Sequence, residues 1–534
     1  MHFRPTARCA VFGSISVLLT ACGSGGSGSS FTPPPVATTW QSGVFASAAS
    51  FKSSCEAPRS GINPATGSVY PDVAGTKFDE MNYLRSFSND TYLWYDEITD
   101  RNPANYAAVL DYFDILKTNQ TTPSGQPKDN FHFTYDSDEW YELSQTGVSA
   151  GYGAQFAIIR AESPREVLVA FVEPGSPAGT FPANLQRGAS IESIDGFDID
   201  TTSDAGIDAL NAGLFPAAPG EVHTFTVRDT PSSPLRSITL TTASITTNPT
   251  PVVDVIESNF GRRVGYLLFN DHIATAEQAL IDAVDQLNSG QGIDDLVLDL
   301  RYNSGGFLAI ASELSYMIAG TDATVNKTFE TLQFNDKYPT TNPITGQTLT
   351  PTPFYSNALG PPFNAPQGQP LPTLDLDRVA VITGPGTCSA SEAIMNGLRG
   401  IGIEVLQIGA TTCGKPYGFY AQDNCGTTYF TVQFRGINAA GFGDYANGFV
   451  PTENPLGDDD TRVQGCLVAD DYTNALGDPA ERRLSAALDY LEGRGCPPPS
   501  AIAPGTLGKA RAPLNATDGL LLKEPGLQNR IMLP

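Results

Sequence analysis

Basic residues are scarce in this 534-residue chain: 31 Lys and Arg stand against 57 Asp and Glu, for a net charge of −26. That balance argues against nucleic acid or an anionic membrane surface as a partner. Histidine is scarcer still. Outside the first residues there are only His132, His223 and His272, widely scattered, and no CxxC pair accompanies them, so no metal site or cofactor is expected. No GxSxG elbow is present, which removes the usual setting of a serine activated by histidine. Past the opening segment, no run reaches the roughly 20 apolar residues needed to span a bilayer. Apolar content of 40% and aromatic content of 10% are nevertheless globular values, and the length calls for two or three domains.

Residues 1–21 read as a targeting leader, with Arg4 and Arg8 ahead of the apolar core Ala10 to Leu19. Leu19-Thr20-Ala21-Cys22 resembles a bacterial lipobox, in which Cys22 takes the lipid; the plainer alternative is a secretory signal with Cys22 incidental. Gly23 after the cysteine resembles lipoproteins sent on to the outer membrane. The expectation is a protein anchored in the cell envelope, facing the periplasm and touching the membrane only through its lipid. Residues 22–50, rich in Gly, Ser, Thr and Pro, read as a flexible tether. Six cysteines remain, Cys55, Cys388, Cys413, Cys425, Cys466 and Cys496, enough for three disulfides in an oxidising compartment. Sequence alone leaves 15 pairings open.

Apolar spacing over Met81 to Tyr95 and again over 106–117 predicts helices, making 51–145 a mostly helical N-terminal domain. Residues 146–230 alternate in the manner of strands. There, Gly151-Tyr152-Gly153-Ala154, Pro174-Gly175-Ser176-Pro177-Ala178 and Arg187-Gly188-Ala189-Ser190-Ile191 resemble a PDZ domain, which implies that loop 151–154 receives a peptide carboxylate on its N–H groups. From 231 to 500 the pattern is α/β. Leu296–Leu300 reads as a strand buried on both faces, ending in Arg301-Tyr302-Asn303-Ser304-Gly305-Gly306. Thr275 is expected to cap one helix and Asp478-Pro479 to open another. Residues 320–375 read as an insertion or long loop, and 501–534 as a disordered tail without a role.

Within the α/β part, Val379 to Thr383 reads as a strand and Gly384-Pro385-Gly386 as a turn. Ser389 to Leu398 reads as a helix, Ile403 to Ile408 as a second strand, and 409–415 as a loop ending in Lys415. Parallel strands joined by a helix bring Ser389 and Lys415 to one sheet edge. Serine needs a base, and lysine serves when burial lowers its pKa. Two plainer readings compete. Ser389-x-x-Glu392 also matches a helix capping box. Gly409-x4-Gly414-Lys415 nearly spells a phosphate loop, but Pro416 stands where the metal-binding hydroxyl belongs.

Taken together, "LVLDLRYNSGG", "VAVITGPGTCSASEAI" and "IGATTCGKPYG", behind a PDZ-like segment and the helical "YLRSFSNDTYLWYDEI", resemble the C-terminal processing peptidases of serine peptidase family S41 across roughly residues 80–440. The resemblance implies a multidomain α+β and α/β fold: a helical N-terminal domain, a PDZ-like β-domain and a ClpP/crotonase-like peptidase domain. It further implies Ser389 as nucleophile, Lys415 as general base and Glu392 as an assisting acid. Backbone N–H groups of Ala390 and of Gly306 or Gly305 would form the oxyanion hole. Substrates would be polypeptides with free C-termini. The chain departs from the family pattern in the 26-residue Ser–Lys separation, about one longer than usual, and in Pro416. Cys388 and Cys413 flank the dyad; a mutual bond would pin it, while Cys413–Cys425 across a hairpin is the simpler pairing. The rival reading is an inactive protease-like lipoprotein that holds peptides without cutting.

Overall fold

Thr76 caps the first long helix, α1 (Lys77–Thr91), through a capping box with Asp79. In the computed structural model, the described residues are 40–498, apart from 65, 161–162, 258–260 and 456–458, together with 520–521 and 530–532. The leader, Cys22 and the tether up to residue 39 lie outside the described residues. So does most of the 501–534 stretch, yet two pieces of it form strands, Leu520–Leu521 and Arg530–Met532, where the sequence suggested none.

The N-terminal part is less helical than its apolar spacing suggests. Only Val109–Phe113 of the expected second helix forms. Strand Phe133–Asp136 pairs antiparallel with Thr427–Phe430, and Leu93 N donates to Val432 O at 2.8 Å. These residues wrap onto the α/β part.

Residues 154–241 form a sheet ordered Arg236–Thr241, Val222–Arg228, Ser190–Ile194, Glu166–Val172 and Ala154–Arg160, with Leu520–Leu521 antiparallel on the last edge. Helix α2 (Asp204–Leu214), capped by Ser203, lies over it. Inward residues including Phe156, Val169, Ile191, Phe225 and Val227 make its own core.

The α/β part is built on seven strands: β1 (Val252–Glu257), β2 (Arg263–Leu268), β3 (Asp295–Asp299), β4 (Arg378–Thr383), β5 (Glu404–Gly409), β6 (Val450–Thr452) and β7 (Arg462–Leu467). Their order is β1-β2-β3-β4-β5-β7-β6; β1 is antiparallel and the rest are parallel. Strand side chains alternate between faces, which explains the near-continuous apolar runs. Leu296, Leu298, Val379 and Val381 pack with helices α3 (Ala276–Asn288), α4 (Leu308–Thr324) and α5 (Ala390–Gly400). Val297, Ala380 and Ile382 face α6 (Arg482–Leu491) through Leu484, Ala487 and Leu491. Each fully buried side chain of this kind contributes about 1.5–3 kcal/mol.

Several local expectations are corrected. Thr275 precedes α3 but its hydroxyl caps nothing, because its backbone is already helical. Glu481, not Asp478, caps α6, its carboxylate accepting from Leu484 N at 3.0 Å. The apolar, β-branched run 427–434, which reads as one strand, breaks into Thr427–Phe430 and Phe434–Ile437. The stretch 320–375 is no mere loop: it supplies Phe329, Phe354, Phe363 and Leu371 to the core. A smaller sheet runs Gly306–Phe307, Arg530–Met532, Tyr417–Tyr420, Phe434–Ile437, Thr328–Gln333 and Thr352–Pro353.

Candidate active site

Ser389 stands where β4 has turned through Gly384-Pro385-Gly386 and α5 begins. Its backbone is at φ +60° and ψ −113°, a region non-glycine residues rarely occupy at a cost of about 1–3 kcal/mol. An ordinary helix-capping serine has extended backbone angles instead. The residue is fully buried, and its Oγ has no hydrogen-bond partner among the described residues.

Glu392, one turn into α5, is the tie between the two ends of the candidate dyad. Its Oε2 accepts from Ser389 N at 2.9 Å and from Lys415 N at 2.8 Å. Its Oε1 accepts from Gly414 N at 2.8 Å and from the Thr412 hydroxyl at 2.5 Å. Burial holds the Glu392 carboxyl above its ordinary value, and these donors offset only part of that rise. Sharing one oxygen holds the backbones of Ser389 and Lys415 side by side. Cys388 and Cys413 are joined in a disulfide, a second tie across the same gap. The expected Cys413–Cys425 bond is therefore absent; Cys425 pairs with Cys55, and Cys466 with Cys496. The two sulfurs and Glu392 lie within 4.8 Å of one another, but sulfurs spent in a disulfide offer no thiolate to a metal.

Lys415 is fully buried. Its Nζ lies 4.5 Å from the Phe419 ring centre and 4.7 Å from that of Phe131. Desolvation drives its pKa from 10.5 down to about 7, against the opposing charges of Asp129 and Glu392. Asp129 is held by Tyr92 Oη at 2.7 Å and by Phe131 N at 2.8 Å. Sequence reading missed Asp129 and Phe131. Their only signal is an acidic residue inside the aromatic-rich "DNFHF" run, far from the lysine along the chain.

Opposite Ser389 lies the turn 301–306. Gly306 has φ +142°, and a Cβ there would meet His272 O at 2.4 Å, so only glycine fits. Gly305 N is occupied, donating to Asn303 Oδ1 at 3.0 Å, which leaves Gly306 the better of the two oxyanion candidates. Ala390 is the first residue of α5, where N–H groups have no intrahelical acceptor. Asn303 is a third residue the sequence did not single out. Its side chain also meets His272 Nδ1 at 2.9 Å and Phe269 O at 2.9 Å, and its carbonyl accepts from Cys388 N and Ser391 Oγ. It fastens the glycine turn to the start of α5.

Below the turn, buried Arg301 bridges Asp299, Asp470 and Glu481. Arg187, from the 154–241 region, joins this network through Asp470 at 2.9 Å and Tyr302 Oη at 2.7 Å. Burial works against ionised Asp470, but Arg483, Arg301 and Arg187 hold its carboxyl well below the usual range. Loop 151–154 is not part of the Ser389 cluster. It joins strand Val148–Gly151 to Ala154–Arg160, with Tyr152 O and Gly153 O accepting from Ala178 N and Glu173 N. Among the described residues no helix is long and apolar enough to cross a membrane.

A family model described as Peptidase family S41 matches residues 263–419. A carboxyl-terminal-processing protease of Picosynechococcus sp. is 28% identical over 280 residues, 51% of this chain and 56% of that protein. A Synechocystis sp. protein of the same description is 29% identical over 174 residues, 33% of this chain and 38% of that one. The alignments thus span about half or less of these curated relatives. Among solved structures, a Bacteroides fragilis NCTC 9343 protein described as an S41 protease matches with a TM-score of 0.56 and 22% identity. That match covers 80% of this chain and 98% of the other, and it speaks to the fold.

Proposed function

Because a family model described as Peptidase family S41 matches residues 263–419, we propose that this protein is a serine endopeptidase working through Ser389 and Lys415. The observation that carries this reading is the pinning of both residues to one carboxylate oxygen, beside a strained serine and a lysine with its pKa near 7. Neutral Lys415 takes the Ser389 hydroxyl proton as Oγ attacks the substrate carbonyl. The tetrahedral oxyanion is held by the N–H groups of Gly306 and Ala390. The lysine then returns the proton to the leaving amine, and water hydrolyses the acyl-enzyme. Glu392 acts as the positioning residue for both partners.

Substrates under this reading are polypeptides with exposed C-termini, received by the PDZ-like region with loop 151–154 at the carboxylate. The protein sits in the cell envelope, lipidated at Cys22 and facing the periplasm from the outer membrane. Loss of membrane association in Cys22→Ala, followed by fractionation, checks that placement. Pro416 and the 26-residue separation, the support for a non-cutting scaffold, leave Lys415 buried among Phe131, Phe419 and Glu392.

The decisive experiment incubates the protein and its Ser389→Ala variant with an unstructured polypeptide ending in apolar residues, with fragments read by mass spectrometry. Cleavage is expected from the parent and a loss of at least about 10³-fold from the variant. Equal cleavage by both would refute the nucleophile, and binding without cleavage by either would favour the scaffold.

A further inference from the structure

The two walls of the candidate site do not pair with each other. Gly306–Phe307 carries the oxyanion candidate, and Tyr417–Tyr420 carries Phe419, whose ring lies 4.5 Å from Lys415 Nζ. Between them runs the chain's own segment Arg530–Met532, parallel to both. Gly306 pairs with Arg530 and Phe307 with Ile531 on one side; Phe419 pairs with Ile531 and Tyr420 with Met532 on the other. Neighbouring strands lie about 4.8 Å apart, so the walls bound a slot about 10 Å across, the width of one inserted strand. Met532 packs against the main core. A second piece of the same stretch, Leu520–Leu521, adds antiparallel to the outer edge of Ala154–Arg160. Ile158 and Ala157 on that edge are its partners, a few residues past loop 151–154.

We propose that Arg530–Met532, with Leu520–Leu521 on the neighbouring sheet, is a built-in occupant of the peptide track, so that the enzyme covers its own site and substrates enter by displacing this strand. The inference rests on the peptidase reading for what the slot is used for. The slot selects an extended polypeptide, because main-chain N–H and C=O groups on both walls are satisfied by a strand of any sequence. Tethering supplies the rest: a segment on the same chain competes at an effective concentration of order millimolar, so a weak strand suffices to hold the slot.

The test uses the full chain carrying Ile531→Pro, which removes a ladder donor, with Ile531→Val as control. Met532→Asp is a second lesion in the same strand, and near-UV circular dichroism reports folding. In a Ser389→Ala background, a labelled synthetic peptide of residues 518–534 is titrated against each protein. The expected result is about tenfold tighter binding by Ile531→Pro and Met532→Asp than by the parent or Ile531→Val. With Ser389 intact, the same two lesions raise kcat/KM toward an unstructured polypeptide by a similar factor. Peptide affinities within twofold of the parent for both folded variants overturn the proposal, and unchanged turnover alongside leaves the peptidase reading standing. Sharpened peptide binding without turnover in any protein sinks the Ser389/Lys415 reading and keeps the occupant.

Discussion

A lysine that accepts a proton has to be without one at the working pH, and burial is what empties Lys415. Under the proposed Ser389/Lys415 chemistry, its pKa near 7 sets the acid limb of activity: below that value the ammonium form dominates and cannot take the Ser389 proton. The expected profile is kcat/KM falling about tenfold per pH unit below 7 and levelling above it, read from a pH–rate series. The same shift acts on stability with a definite sign. Between about 7 and 10.5 the unfolded chain keeps a proton that the folded chain has released, so stability gained from this group rises with pH across that window. Below it the buried charge costs its full penalty. Lys415→Met is therefore expected to be inactive yet to melt higher than the parent at pH 6, with the gain shrinking toward pH 10.

The turn 301–306 works as an element because Asn303 ties it on four sides, to His272, Gly305, Phe269 and the start of α5. Asn303→Ala is expected to lower kcat about 10²-fold with KM little changed, since the turn it positions is needed only when the oxyanion forms. A comparable fall in KM or a loss of folding would refute that role. Much of this region was legible in the sequence. β4, α5 and β5 fall where apolar runs meet Gly384, Gly400 and Gly409, because runs bounded by glycine leave few alternatives. Ser389, Glu392 and Lys415 were singled out by motif. Caps read less well: Thr275 and Asp478 look like caps, but the tertiary position of each helix start was decided by packing. Asn303, Asp129 and Phe131 had no local signature that set them apart from their neighbours, since their importance comes from contacts between segments distant along the chain.

At the scale of the whole molecule, Arg187 is the charged post between the 154–241 region and the turn-bearing strand. Its guanidinium is buried with Asp470 and Tyr302, and removing one member of a buried pair costs about 3–5 kcal/mol. Arg187→Ala is expected to lower the urea midpoint accordingly and to raise amide hydrogen exchange first in residues 154–241. The cysteine framework lies at this scale too, and sequence could not resolve it, since Cys55 and Cys425 are 370 residues apart. That bond closes a ring containing both Ser389 and Lys415, along with exposed surface such as residues 346–348. A break on such a surface turns one thread into two pieces still linked by sulfur. A peptidase surrounded by copies of itself can thus be nicked and remain one particle, its wear hidden until a reducing agent separates the halves.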